Sequence, residues 1–186
     1  MKTPFVKRGL TLVPLIVILA GAGPLQQAEP RADDDRVSGE VLLRVDGEVD
    51  HPLSLSLRDL EALPKQVARG VDHGGETAEF DGTNLIDVLK KAGAPVGDRL
   101  RGKMSAAYVV VEAADGYRVV FSLAELDPSF TDKVVMLAHR RDGKPLGESE
   151  GPLRVIVPNE KRHGRWIRMV KSMTVRLASP DEPPTP

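Results

Sequence analysis

Along the chain the spacing of apolar positions switches repeatedly between a two-residue and a helical period, with the switches at glycine, proline and aspartate. Residues 41–45 read as a strand, and Asp46-Gly47 behind them as a turn that starts a hairpin. After Pro52 the alternation Leu53, Leu55, Leu57 buries one face and exposes the other. Ser56 is placed to cap a short helix running to Leu63, with Asp59 in the capping-box position and Pro64 as the stop. Asn84 opens a second helix in which Leu85, Val88, Leu89 and Ala92 share one face, and Gly93 closes it.

Residues 108–111 and 117–121 are strands expected to pair antiparallel through Asp115-Gly116. Ser122-Leu123-Ala124-Glu125 is a second capping box, predicting a short helix that Asp127-Pro128 limits. Residues 134–138, 153–157 and 173–177 complete the strands, and Asp142-Gly143 marks another turn. Strands outnumber helices, and the helices are short and interspersed without regular βαβ alternation. The expected class is therefore α+β with mixed or antiparallel sheets.

The ends read differently. Lys2, Lys7 and Arg8, then an apolar run over residues 10–19, then Ala20-Gly21-Ala22 have the layout of a signal peptide over residues 1–22. That layout predicts a secreted or periplasmic protein with no stable membrane span after cleavage. Residues 23–37, rich in Pro, Gln and Asp, read as a flexible linker, and the Pro-rich residues 179–186 as a disordered tail. One domain is left over residues 38–178.

The absence of cysteine in all 186 residues removes disulfides, thiolate nucleophiles and every Cys-based metal site. A formal net charge of -1 gives no global footprint for nucleic acid. His73, His139 and His163 stand without a second ligand at a metal-binding spacing, and no nucleophile-elbow, phosphate-loop or zinc-protease pattern occurs.

The densest chemistry lies where Gly151-Pro152-Leu153-Arg154-Val155-Ile156-Val157-Pro158 runs into Lys161-Arg162-His163-Gly164-Arg165-Trp166-Ile167-Arg168. Five Lys or Arg between Lys161 and Lys171, with no acid among them, suit an anionic ligand, because guanidinium groups offer forked, charge-assisted hydrogen bonds. The other arrangement open to them is ion pairing with Glu148, Glu150 and Glu160. Trp166, beside Ile167 and near Val170, reads as a core or rim residue. Arg140-Arg141 before the Asp142-Gly143 turn reads as a solvated hairpin end.

An ordered set of landmarks runs through the whole domain. It comprises Val45-Asp46-Gly47, Leu55-Ser56-Leu57, Leu63-Pro64, Phe80-Asp81-Gly82, Leu85-Ile86-Asp87-Val88-Leu89, Ala114-Asp115-Gly116-Tyr117, Asp142-Gly143-Lys144-Pro145-Leu146 and the Gly-Pro-Leu-Arg strand. In these the chain resembles the oxidoreductase molybdopterin-binding domain of the sulfite oxidase family. The resemblance implies a compact α+β fold around a pterin-bound molybdenum, with a cysteine ligand from the stretch that corresponds to residues 66–79; that stretch here has no thiol. It also implies a cofactor-binding set of Arg154, Lys161, Arg165 and Trp166, with the basic residue beside the tryptophan facing the cofactor phosphate and Tyr117 as a pocket donor. No catalytic or metal-ligating residue is expected.

Three functions follow from it. The first is a binding module for an anionic, pterin-phosphate-like ligand. The second is a molybdopterin-dependent oxidoreductase with a non-cysteine metal site and a redox partner. The third is a ligand-free partner-binding or scaffold domain.

Overall fold

The computed structural model describes residues 39–72 and 74–178. The expected signal peptide, linker and tail, and His73, lie outside the described residues. Among the described residues two five-stranded sheets carry the fold, with short helices between them.

The first sheet contains β1 (Val41–Gly47), β2 (Leu53–Ser56), β5 (Ala107–Ala113), β6 (Arg118–Ser122) and β10 (Val170–Leu177), in the order β2-β1-β10-β5-β6. Its single parallel contact joins β1 to β10, pairing Val45 with Met173, so the sheet is mixed. Alternation does what the sequence predicts in β5, where Ala107, Val109, Val111 and Ala113 are buried. The β5–β6 hairpin closes through Gly116 at φ 86°, a conformation that glycine adopts without a Cβ penalty.

The second sheet is built from β3 (Lys65–Val71), β4 (Thr77–Asn84), β7 (Met136–Arg141), β8 (Lys144–Pro145) and β9 (Arg154–Ile156). The path β3-β4-β7-β8 is antiparallel, and β9 pairs with β7 beside β8. Asp142 at φ 50° and Gly143 at φ 74° make the tight turn between β7 and β8. Buried side chains of both sheets join one hydrophobic cluster that includes Leu43, Val111, Phe121, Phe80, Leu137 and Ile156.

The helices are α1 (Leu57–Glu61) and α2 (Leu85–Lys91). At α1 the capping box is complete: Asp59 N–H donates to Ser56 Oγ at 3.4 Å and Ser56 N–H to Asp59 Oδ2 at 2.9 Å. The helix ends two residues earlier than expected. Asn84 stands at the N-cap of α2 without a side-chain cap bond, its amide donating instead to Gln66 Oε1 at 3.3 Å. Leu85, Ile86, Val88 and Leu89 are buried, the face that the helical spacing predicts.

Three expectations are corrected. The Ser122–Glu125 capping box forms, with Glu125 N–H on Ser122 Oγ at 3.1 Å and Ser122 N–H on Glu125 Oε1 at 2.9 Å. It supports a single turn and no helix, because Asp127-Pro128 follows before a second turn can close. The stretch over residues 66–79, to which the sequence assigns no strand or helix, is largely the β3–β4 hairpin, with Arg69 opposite Glu79. Its inward positions, Gln66, Ala68 and Gly70, are polar or small and so carry no hydrophobic alternation. Arg141 does not end in solvent; it forms ion pairs with Asp72 and Glu150.

Candidate functional site

The site lies around β9 and the basic loop that follows it. Arg154, the first residue of β9, is fully buried. Its guanidinium sits 5.7 Å from the Phe80 ring centroid and 5.6 Å from that of Trp166, and the two rings meet edge to face at 6.0 Å. A charge in such surroundings needs partners. Arg154 Nη2 donates to Asp72 Oδ1 at 2.8 Å and Nη1 to Glu150 Oε2 at 2.9 Å.

Arg141 meets the same two carboxylates, Nη1 lying 2.9 Å from Asp72 Oδ2 and 3.3 Å from Glu150 Oε1. Two cations and two anions therefore alternate around a ring, and Arg141 also lies 3.7 Å from Asp142 Oδ2 and 3.9 Å from Glu76 Oε2. Asp72 comes from the end of β3, Arg141 from β7, Arg154 from β9 and Glu150 from the preceding loop. The ring ties together parts of the chain that only the sheet brings close. Arg154 Nε is buried and has no hydrogen-bond partner among the described residues.

Trp166 closes the other side. It is buried, its indole N–H donates to the Val157 carbonyl at 3.0 Å, and it packs on Gly70 of β3, where a Cβ would lie 2.5 Å from the indole edge. It is a core residue that also forms a wall.

Arg165 points away from Arg154 into a separate cluster. It stacks 4.4 Å from the Phe121 centroid, donates to Glu125 Oε1 at 3.1 Å and is hydrogen-bonded to Glu160. Lys133 bridges the same carboxylates at 3.3 and 3.2 Å. Burial pushes the Glu125 carboxyl up, but hydrogen bonds from Arg165 and the Ser122 N–H together with the Arg165 charge outweigh it and hold the group below the usual glutamate range. Such a depressed value adds stability above the unfolded-state pKa, and that stability is lost as the pH falls through the folded one. Arg165→Gln leaves burial unopposed by the guanidinium, so acid unfolding followed by circular dichroism is expected to begin at a higher pH than in the wild type.

Lys161 is exposed, and neither it nor Arg162 nor Arg168 forms an ion pair among the described residues. Arg168, Tyr117, His163, Gly164 and Trp166 line a cleft of about 330 Å³ together with the Asp115 turn and Ser149. The Tyr117 hydroxyl donates to the Gly164 carbonyl at 2.8 Å and so pins the loop across the cleft. Met169, held at φ 49°, donates its N–H to the Glu150 carbonyl and accepts from the Ala114 N–H. That strained conformation persists because both flanking hydrogen bonds fix it.

Of the five residues expected to bind the cofactor, Tyr117 and Trp166 share this cleft. Arg154 and Arg165 are turned to carboxylates in two different clusters, and Lys161 stands in solvent. Sequence reasoning passed over Asp72, read Arg141 as a solvated hairpin end and treated Arg168 only as part of a basic run. The signal for Asp72 was absent, since its partners lie 69 and 82 residues away.

His139, partly buried in β7, is held below its ordinary value by burial, which Glu61 at 3.6 Å only partly offsets. It lines an apolar cavity of about 410 Å³ with Leu42, Leu57, Leu146 and Pro152.

A mixed and an antiparallel sheet, with short helices and a basic loop following a buried strand, define an α+β domain of the sulfite-oxidase type. The sulfane dehydrogenase SoxCD from Paracoccus pantotrophus superposes with a TM-score of 0.56 at 21% identity, over 72% of this chain and 37% of that one. The chain belongs to the oxidoreductase molybdopterin binding domain family, whose model matches residues 31–183. An uncharacterized oxidoreductase, YuiH, of Bacillus subtilis is 28% identical over 69% of this chain and 63% of its own length. The NADPH nitrate reductase of Neurospora crassa is 28% identical over 81% of this chain and 18% of its own. The chain thus spans less than two thirds of these relatives.

The residues present fit one part of a molybdopterin and not another. Arg168, unpaired at the edge of a cleft of ligand size, suits an anionic phosphate. The metal finds no matching donors: the chain has no thiol, and among the described residues no three His, Cys, Asp or Glu converge to hold an ion.

Proposed function

We propose that this domain holds the anionic pterin of a molybdopterin in the cleft between Tyr117 and Arg168 and serves an oxidoreductase whose metal takes no thiolate from this chain. The family match over residues 31–183 carries the oxidoreductase reading. The unpaired Arg168 beside the buried Trp166 supports the location. A bound molybdopterin would supply the redox centre. The chain's own residues would do the binding: Arg168 meets the phosphate, Trp166 walls off water, and Tyr117 and Met169 hold the loop in shape.

A second reading, a pterin-phosphate binding module without metal, is favoured by the complete lack of cysteine and by Arg154 being neutralised in place. The layout of residues 1–22 supports a periplasmic or secreted location for either. The Bacillus and Neurospora names give the redox class only, and the substrate and redox partner of this chain are not assigned.

Protein purified from its native source separates the two readings by metal analysis and oxidised-pterin fluorescence. Stoichiometric molybdenum with pterin supports the oxidoreductase, pterin without molybdenum supports the metal-free module, and neither one present overturns both. Arg168→Ala is expected to weaken binding of a pterin phosphate by about 10- to 100-fold, the size of one charge-assisted hydrogen bond, when measured by fluorescence titration. Lys161→Ala, at an exposed position, changes it far less.

A further inference from the structure

We propose that Arg141 and Arg154 form a second, latent oxyanion site, separate from the Tyr117–Arg168 cleft, which the chain keeps closed with its own Asp72 and Glu150. Four carboxylate oxygens meet the two guanidinium groups: Asp72 Oδ1 and Oδ2 at 2.8 and 2.9 Å, and Glu150 Oε2 and Oε1 at 2.9 and 3.3 Å. Glu150 carries the charge of one phosphate monoanion. A tetrahedral oxyanion also offers several acceptors within a smaller volume, which is the geometry that paired arginines recognise.

Three observations distinguish this ring from an ordinary set of ion pairs. Arg154 is fully buried, yet its Nε has no acceptor, so the internal carboxylates leave one donor unmet. A polar cleft of about 380 Å³ reaches the ring from outside, lined by Arg141 and Glu150 with Lys144 and Ser149 beside them. The four partners are also unequal in mobility. Arg141 and Arg154 are fixed on paired strands, whereas Glu150 belongs to a loop, and its backbone is anchored through Gly147 and Met169, so rotation of its side chain alone clears the site.

Glu150 is thus the displaceable lid, and Asp72 the anion that stays. The ligand class is a small tetrahedral oxyanion, phosphate or a phosphate ester. No bond is made or broken; binding exchanges one carboxylate for another anion.

The test uses the full chain as wild type, Glu150→Gln and Glu150→Ala, each unfolded thermally in phosphate and in chloride of matched ionic strength. Glu150→Gln is expected to gain about 4 °C in phosphate over chloride, and the wild type less than half of that. Adding Arg141→Gln to Glu150→Gln removes the gain, and adding Arg168→Ala leaves it. Phenyl phosphate in place of inorganic phosphate tells an ester site from a free-ion site. The proposal is overturned if Glu150→Gln shows no phosphate-specific gain, or if the wild type gains as much. A gain lost with Arg168→Ala also overturns it, because the anion then sits in the cleft; a cleft that binds no pterin leaves this result untouched. Should Glu150→Gln fold poorly, Glu150→Ala carries the same comparison.

Discussion

Arg154→Met is expected to lower the stability of the domain by about 3–5 kcal/mol, read as a drop in the urea midpoint with an unchanged slope. The methionine replaces the stem of the side chain but none of its charge. Asp72 and Glu150 lose a partner 2.8 and 2.9 Å away in a region where Arg154 itself has no exposure to water. Arg141 remains, yet a single guanidinium then faces two carboxylates, one of them almost as buried as the arginine it loses. The penalty is that of stranding buried charge and exceeds the net worth of the original pairs. Phe80 and Trp166 also lose the cation lying against their rings. A variant that removes the ring as a unit, with Arg154→Met, Asp72→Asn and Glu150→Gln together, is expected to recover part of the loss. A triple variant no more stable than Arg154→Met would show that packing, and not charge, sets the cost.

Gly82→Ala is expected to cost about 3 kcal/mol or more, although it adds a single methyl group. Gly82 lies at the irregularity where β4 pairs with β7, opposite Ala138. A Cβ there would collide with the Leu137 carbonyl oxygen and lie 2.7 Å from the Ala138 Cα. These are backbone atoms that cannot rotate away, so relief requires β4 and β7 to part, and β7 carries Arg141 on one side of the ring and pairs with β9, which carries Arg154. Hydrogen exchange is expected to show the loss of protection first in β4, β7 and β9, with the first sheet less affected. Gly74→Ala, with open space around the glycine, serves as the control and should stay within about 0.5 kcal/mol of the wild type.

The first sheet was legible because its strands alternate with apolar residues and its turns are marked by Asp-Gly. In β5 and in the face of α2, the hydrophobic period alone names the buried residues. The β3–β4 hairpin was not legible, since one face of β3 is exposed and the other offers Gln66, Ala68 and Gly70. Gly70 is small because Trp166 lies on it, a contact spanning 96 positions of chain that no local window can see. The capping box at Ser122 was read correctly as chemistry and wrongly as a helix, because satisfied caps do not lengthen a segment that proline ends.

The candidate site divides in the same way. By itself the sequence determined that this chain folds as an α+β domain with a buried Pro-Leu-Arg strand and a basic loop behind it, and that no thiolate can come from it. Those are properties of residue type and order. Only the tertiary structure decided which cations stay available: Arg154 and Arg165 are neutralised by carboxylates, whereas Arg168 is left to face a cleft. The physical reason is that a charge acquires its role from the groups within a few ångströms. For Arg154 one of those groups is Asp72, remote in sequence, brought within reach by the β3–β4–β7–β9 sheet.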